Sequence, residues 1–370
     1  MNIPFFPYNK TFLQYKENFK NILDEIIDNG QFILGNNLEE FENNIANQVG
    51  CKFCLGVANA TDALEMMVEY NNFTNKDEII LSSHTMIATL SSIIRSGAKP
   101  VPVDITLDGS ICPKSILENI NKNTKAIFVT QLNGHTCNMD EIIDICNANN
   151  IILLEDSAQA LGSKYKNKSA GTFGIAGCLS FYPAKILGGP GDGGAIITNN
   201  EGFYNWVKNH RDHGRNKNNE IKNIGRNSRL DNLMAAFLNV QLKDFEKTIY
   251  RRRKVAEIYY NGLKHLDTLK LPKMYHLDTY TQYEDTFQNY EILAENRDGL
   301  RDFLNQNHVG TLIQWGGITI NMIGDYFKNS KSNFSVTKEY YDKCIMLPMN
   351  TIISDSDIRK VINLICKFYK

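Results

Sequence analysis

The 370-residue chain carries 40 Lys plus Arg against 41 Asp plus Glu, a formal net charge of −1, with 42% hydrophobic and 22% charged residues. That balance excludes a global basic field recruiting nucleic acid or an acidic membrane, and no apolar run approaches the ~20 residues of a membrane span. The length predicts one large domain with a smaller companion.

The N-terminal MNIPFFPYNK lacks a charged region followed by a sustained apolar one, so no signal peptide is expected and the cytoplasm is the expected compartment. Eight scattered cysteines do not suggest a disulfide scaffold. Cys51 and Cys54 have C-x-x-C spacing, but no second pair or His cluster completes a zinc site, and the pair opens a strand-like run.

From about residue 50 to 240, β-rich runs alternate with helix-period segments. Strands are expected at Phe53–Val57, Glu78–Leu81, Pro100–Asp104, Ala126–Gln131, Ile151–Glu155, Ala176–Phe181 and Ala195–Thr198. Helical stretches such as Asp62–Tyr70 and Met139–Asn147 sit between them. This alternation predicts an α/β fold with a mostly parallel sheet flanked by helices. Ile151–Leu154, continuously apolar, reads as a strand buried on both faces. The Asn/Lys-rich segment 216–222 reads as an exposed loop.

After Arg229 the pattern changes. Leu233, Ala236, Phe237 and Val240 open a helix expected to continue to Leu263, and the basic run Arg251–Lys254 within it reads as a solvated or subunit-facing surface. Strand-like runs follow at Thr286–Leu293 and Val309–Trp315, with a helical Asp298–Leu304 segment between them. A last helix carries Ile358, Val361, Ile362, Ile365 and Phe368 behind a Ser354 N-cap. The division expected is 1–240 as the large domain, including the N-terminal segment, and 241–370 as a linking helix with a smaller α+β domain.

In open α/β sheets, ligands bind beyond the carboxyl ends of strands. Two segments lie at such ends. In Glu155-Asp156-Ser157-Ala158-Gln159 the two acids must point to opposite faces of their strand, so only one easily enters a site. In Ser180–Lys185, followed by Ile186–Gly194, a lysine stands between an apolar strand and a glycine-rich turn, where burial would lower its pKa and make it nucleophilic. The glycine run fits neither a P-loop nor a dinucleotide fingerprint. An Asp after a strand is commonly a helix cap and most lysines are on the surface, so spacing alone leaves a covalent lysine site as one reading among several.

The stretch EDSAQALGSKYKNKSAGTFGIAGCLSFYPAKILGGPGDGGAIITNN resembles the central block of the DegT/DnrJ/StrS sugar aminotransferases, pyridoxal-phosphate (PLP) enzymes of fold type I. The resemblance includes GQFILGNNLEEFENNIA, GVANATDAL, RDHGR at Arg211–Arg215 and GRNSRLDNLMAAFLNVQL from Gly225. It implies that Lys185 holds PLP and moves the substrate proton, that Asp156 pairs with the pyridine nitrogen, and that Gln159 lies near the ring oxygen. Thr61, after Ala60 at an expected helix start, and Ser180 would contact the phosphate. Asn227 would reach the phosphate of a neighbouring subunit, which implies a homodimer with shared sites.

Some positions depart from the family pattern. Ala60 stands where many members have Gly. Met86 replaces a common aromatic residue, so either Met86 or His84 would stack on the cofactor ring. Gln131-Leu132-Asn133-Gly134-His135 replaces a His-Leu-Tyr-Gly-like run, leaving His135 as substrate contact or plain loop residue; Arg229 is either a substrate contact or a subunit-packing residue. The resemblance implies transfer of an amino group, with glutamate as donor, to a nucleotide-linked keto-6-deoxyhexose in amino-sugar biosynthesis. C3 amination of a dTDP-3-keto-6-deoxyhexose leads. C4 amination of a dTDP-, UDP- or GDP-4-keto-6-deoxyhexose is the alternative, and a non-catalytic regulatory or assembly protein of the same fold is a reading of another class. No metal is expected.

Overall fold

In the computed structural model of the protein, residues 2–277, 281–324, 327 and 330–370 are described. Seven strands form the central sheet: β1 (Phe53–Val57), β2 (Glu78–Ser82), β3 (Lys99–Val103), β4 (Thr124–Thr130), β5 (Ile152–Asp156), β6 (Ala176–Ser180) and β7 (Gly194–Thr198). Their spatial order is β1-β7-β6-β5-β4-β2-β3. The pairs β3–β2, β2–β4, β4–β5 and β5–β6 are parallel, whereas β7 runs antiparallel to both β6 and β1. Each of the seven strands expected before residue 240 forms within one or two residues of its predicted ends.

Strand periodicity divides the core into two layers. Ile79, Leu81, Ala126, Phe128 and Leu154 pack on one face with the Ala60–Glu69 and Ile87–Arg95 helices. Ile80, Ile127, Val129 and Leu153 pack on the other with the Met139–Asn149 helix. Near β7 the second face is instead covered by the Asn36–Val49 and Asn232–Leu242 helices.

A second apolar core gathers around a three-stranded antiparallel sheet of Leu269–Lys270, Tyr290–Ala294 and Cys344–Leu347, backed by the Phe245–Leu263 and Asp355–Phe368 helices. Ser354 caps the last helix, accepting from the Asp357 N–H at 3.1 Å. A small hairpin, Lys164–Tyr165 with Lys168–Ser169, pairs with Tyr283–Glu284.

Four expectations change. The helix expected to run unbroken to Leu263 is two, Asn232–Leu242 and Phe245–Leu263, because the first packs beside the large sheet and the second turns away to back the small one. The strand expected over Thr286–Leu293 begins only at Tyr290: the Thr286 N–H is taken by the Gly134 carbonyl at 2.8 Å, and Arg252 takes the carbonyls of Phe287 and Gln288 at 3.0 Å. Val309–Trp315 is not a strand. It makes single bridges at Val309 and Leu312, then turns through Trp315 and Gly316 with φ of 47° and 70°. The basic run is not a uniform surface, for Arg252 is buried while Arg251 and Lys254 pair with Asp355 and Glu257 at 2.7 Å.

Candidate active site

A cavity of about 310 Å³ opens at the carboxyl ends of β4, β5 and β6. Ala60, Thr61, Met86, Asp156, Gln159, Ser180 and Lys185, scattered over 126 positions of sequence, all stand in its wall.

Lys185 lies in the loop of the β6–β7 hairpin. The loop closes through Phe181 N–H to the Gly193 carbonyl (2.8 Å), and Lys185 donates its own N–H to the Tyr182 carbonyl (2.8 Å). Gln288, which precedes the strand Tyr290–Ala294, clamps it: its Oε1 accepts from the Ile186 N–H, and its Nε2 donates to the Ala184 carbonyl, both at 2.8 Å. Burial lowers the Lys185 amine below its ordinary value, and the nearby Asp156 carboxylate partly opposes that shift.

Asp156 ends β5. Its Oδ2 accepts from Thr89 Oγ1 at 2.7 Å, and its Oδ1 accepts from the Ala158 N–H at 3.1 Å and from the Cys178 thiol at 3.4 Å. Thr89 Oγ1 meets Thr85 Oγ1 at 2.9 Å, which meets Thr130 Oγ1 at 2.7 Å. Three threonine hydroxyls from different elements therefore fix the carboxylate's rotation. Gln159 Oε1 accepts from the Asn133 N–H at 3.0 Å and from Asn289 Nδ2 at 3.4 Å.

Thr61 is in the first turn of the Ala60–Glu69 helix, but Asn59 is the cap, its Oδ1 accepting from the Asp62 N–H at 2.8 Å. The first-turn N–H groups of Ala60 and Thr61 thus keep no intrahelical acceptor and face the cavity end. Glycine at 194 is required by close approach: a Cβ there would lie 2.4 Å from the Asn59 carbonyl carbon and 2.6 Å from the Ala60 nitrogen.

Met86 faces the cavity and is 43% exposed, its sulfur 3.2 Å from the Ala88 N–H. His84 is fully buried among Trp315, Tyr340 and Tyr341 and faces an adjoining cavity of about 280 Å³. Its Nδ1 contacts the Gly109 carbonyl at 3.1 Å, and burial lowers its pKa to about 4. His135 also lines this adjoining cavity. Burial opposes its protonation, but Asp285 at 2.8 Å outweighs that effect and moves the pKa upward. Leu132 stands in both walls.

Two expected site residues lie outside these cavities. Arg229 pairs with Asp212 at 2.5 Å, and Asn227, which is exposed, forms an isolated antiparallel bridge with Asp212. Sequence reasoning missed Tyr182, Asp192 and Trp315 in the wall, and Thr89 behind Asp156. Trp315 had no findable signal, because its placement depends on the left-handed turn. Thr89 had a weak one, its i,i+4 spacing from Thr85.

The cysteines are free, and Cys54 of the C-x-x-C pair is buried with its thiol pKa raised by desolvation. Among the described residues no cluster of His, Cys, Asp and Glu could hold a metal, and no helix is long and apolar enough to cross a membrane.

The sequence profile of the DegT/DnrJ/EryC1/StrS aminotransferases matches residues 14–366. The chain belongs to that family. It is 32% identical over 368 residues, 99% of each chain, to dTDP-3-amino-3,6-dideoxy-alpha-D-galactopyranose transaminase of Aneurinibacillus thermoaerophilus. It is 30% identical over 378 residues, covering 100% of this chain and 99% of the other, to a protein of Geobacillus stearothermophilus named pleiotropic regulatory protein. The fold matches the crystal structure of S. venezuelae DesV in complex with a ketimine intermediate, with a TM-score of 0.92, 26% identity and coverage of 100% and 99% of the two chains.

The protein is therefore a PLP-dependent sugar aminotransferase of fold type I. The cavity has the chemistry this cofactor needs: a desolvated amine, a carboxylate held by hydroxyls, and a helix N-terminus with free N–H groups for a phosphate.

Proposed function

We propose that the enzyme aminates C3 of a dTDP-linked 3-keto-6-deoxyhexose with glutamate as donor, working in the cytoplasm as a homodimer with shared sites. The observation carrying the catalytic part is that Lys185 and Asp156, electrostatically coupled, share one cavity with the start of the Ala60–Glu69 helix. The C3 and dTDP assignments take their support from the named activity of the 32% identical relative.

Bound PLP supplies an electron-poor ring that stabilises charge developing at the reacting carbon. The chain does the rest. Lys185 holds the cofactor and moves the proton at the carbon receiving nitrogen, and burial lowers its pKa toward the form that can accept a proton. Asp156 holds the ring nitrogen's proton, and Gln159 presents its Nε2 because Asn133 and Asn289 engage its oxygen. Ala60, Thr61 and Ser180 bind the phosphate with Asn227 of the second subunit, and Met86 packs on the ring. His84 and His135 serve the sugar-nucleotide side, while Arg229, paired with Asp212 outside both cavities, serves packing.

A non-catalytic role is disfavoured by the retention of Lys185 and Asp156 in a formed cavity. The test is to offer dTDP-linked 3-keto and 4-keto sugars with glutamate and locate the new C–N bond by NMR. Nitrogen at C3 is expected; nitrogen at C4 alone overturns the regiochemistry, and no product from any keto-sugar overturns the catalytic reading.

A further inference from the structure

Lys185 stands in the wall of two cavities. Besides the one above, a chamber of about 30 Å³ lies between its loop, the N-terminal segment at Thr11 and Gln14, and the two helices carrying Gln241 and Arg252. A buried water needs ~10–15 Å³ of such space, so the chamber has room for one or two particles of that size.

Its walls are one-sided in charge. Arg252 is 3% exposed, donates through Nη1 to the carbonyls of Phe287 and Gln288 at 3.0 Å, and leaves its buried Nε without an acceptor. Burial lowers its pKa only to about 10, so the guanidinium remains cationic at neutral pH, and no acidic group contributes to that shift. Gln241 is 8% exposed, and its buried Nε2 likewise has no acceptor. Among the described residues, no Asp or Glu lines the chamber. A buried cation is ordinarily paired, and buried donors are ordinarily satisfied. Two residues of this wall, Arg252 and Gln241, each carry an orphaned buried donor, one of them on an uncompensated charge.

We propose that this chamber is a binding site for a monatomic anion of chloride size, held by Arg252 Nε and Gln241 Nε2 directly behind the Lys185 loop. An anion there offsets the Arg252 charge and favours the cationic form of the Lys185 nitrogen, so halide concentration sets the pH range over which that nitrogen is free of its proton.

The test uses the holoenzyme in two measurements. Crystals grown without halide are soaked in sodium bromide and an anomalous map is recorded at the bromine edge. A peak within hydrogen-bonding reach of both donors is expected; ordered water alone in the chamber overturns the site, independently of what Lys185 does. The visible absorbance of the bound cofactor is then titrated with pH in sodium chloride and in sodium gluconate. Chloride is expected to raise the midpoint by about one pH unit. Gln241→Leu, which removes one donor without adding a charge, is expected to keep the visible band and lose the difference between salts. Equal midpoints in both salts for the unaltered enzyme overturn the link to Lys185.

Discussion

Glu155 and Asp156 are adjacent in sequence and end on opposite sides of their strand. Asp156 meets the cavity lined by Lys185, whereas Glu155 is fully buried behind the sheet and accepts from Gln131 Nε2 (2.9 Å) and the N–H groups of Gly171 (2.8 Å), Phe173 (2.6 Å) and Gly174 (2.9 Å). Desolvation raises the Glu155 pKa, and these donors oppose it. One carboxylate thus faces the cavity of Lys185 and the other braces the loop leading into β6.

That division predicts separable phenotypes. Asp156→Asn should lower turnover by about 10²–10⁴-fold, the range for losing one positioned proton partner, with the melting temperature nearly unchanged. Glu155→Ala should cost about 3–5 kcal/mol, because three loop N–H groups lose their acceptor. Steady-state kinetics and urea unfolding on both variants decide it; equal destabilisation would contradict the division.

The divergence was legible in sequence, because strand side chains alternate whatever the surrounding fold. So were the seven strands, since each is a short apolar run between polar turns. Other features depended on tertiary contacts. Thr286–Tyr290 has strand composition, yet its backbone groups serve Gly134 and Arg252 before any ladder forms. Arg252 reads as one of four surface cations until the small sheet covers it. Lys185 reaches the cavity wall through a local hairpin, the 15 residues from Ser180 to Gly194, paired directly at their ends, so its place follows from nearby sequence.

Lys185→Ala and Lys185→Arg should both abolish turnover and the borohydride-sensitive visible absorbance. Arginine keeps the charge but stays protonated at every working pH, so it can neither bond to the cofactor nor move the proton. Near-normal turnover in either variant removes Lys185 from the mechanism.

Gly194→Ala should weaken PLP binding more than it disturbs the large core. Its Cβ would press on the Asn59–Ala60 peptide and shift the first turn of the Ala60–Glu69 helix, at a cost of about 1–3 kcal/mol for an overpacked site. Cofactor titration by fluorescence alongside thermal melts of the cofactor-free protein separates the two effects: the loss should be larger in the first.

His84 and Glu291 predict opposed pH dependences. Both contact Tyr340, His84 ring to ring at 5.0 Å and Glu291 through Tyr340 Oη at 2.8 Å. Burial depresses His84 from 6.5 to about 4, so the unfolded chain takes up that proton first and stability falls as pH drops below about 6.5. Burial raises Glu291 from 4.5 to about 7, so the native state holds that proton longer and stability falls as pH rises from about 4.5 toward 7. Each slope is at most about 1.4 kcal/mol per pH unit, and over their common window the two nearly cancel. Relative to the unaltered enzyme, His84→Gln should lose stability as pH rises from 5 to 6.5, and Glu291→Gln should gain it. Urea midpoints at about pH 5 and 6.5 measure both slopes; curves parallel to the unaltered enzyme would refute the pairing.

Asn227 provides the test of shared sites. It is exposed and absent from the cavity of its own chain, next to Arg226, which pairs with Glu65 and Glu69 on the helix that starts at that cavity. If it completes the phosphate site of a second copy, Asn227→Ala should weaken PLP binding about tenfold, the worth of one hydrogen bond to a charged group. Lys185→Ala and Asn227→Ala chains should then complement each other. In a mixed dimer one site loses both residues, while the other combines its own Lys185 with the partner subunit's Asn227 and is intact. Unfolding is not needed to form such dimers if the two chains are co-expressed with different tags and purified through both. The mixed dimer should contain roughly one normal-affinity PLP site per two chains. If Asn227 acts within its own chain, every remaining Lys185 site in the mixed dimer would carry the weakened affinity, and the normal-affinity class would be missing from the titration.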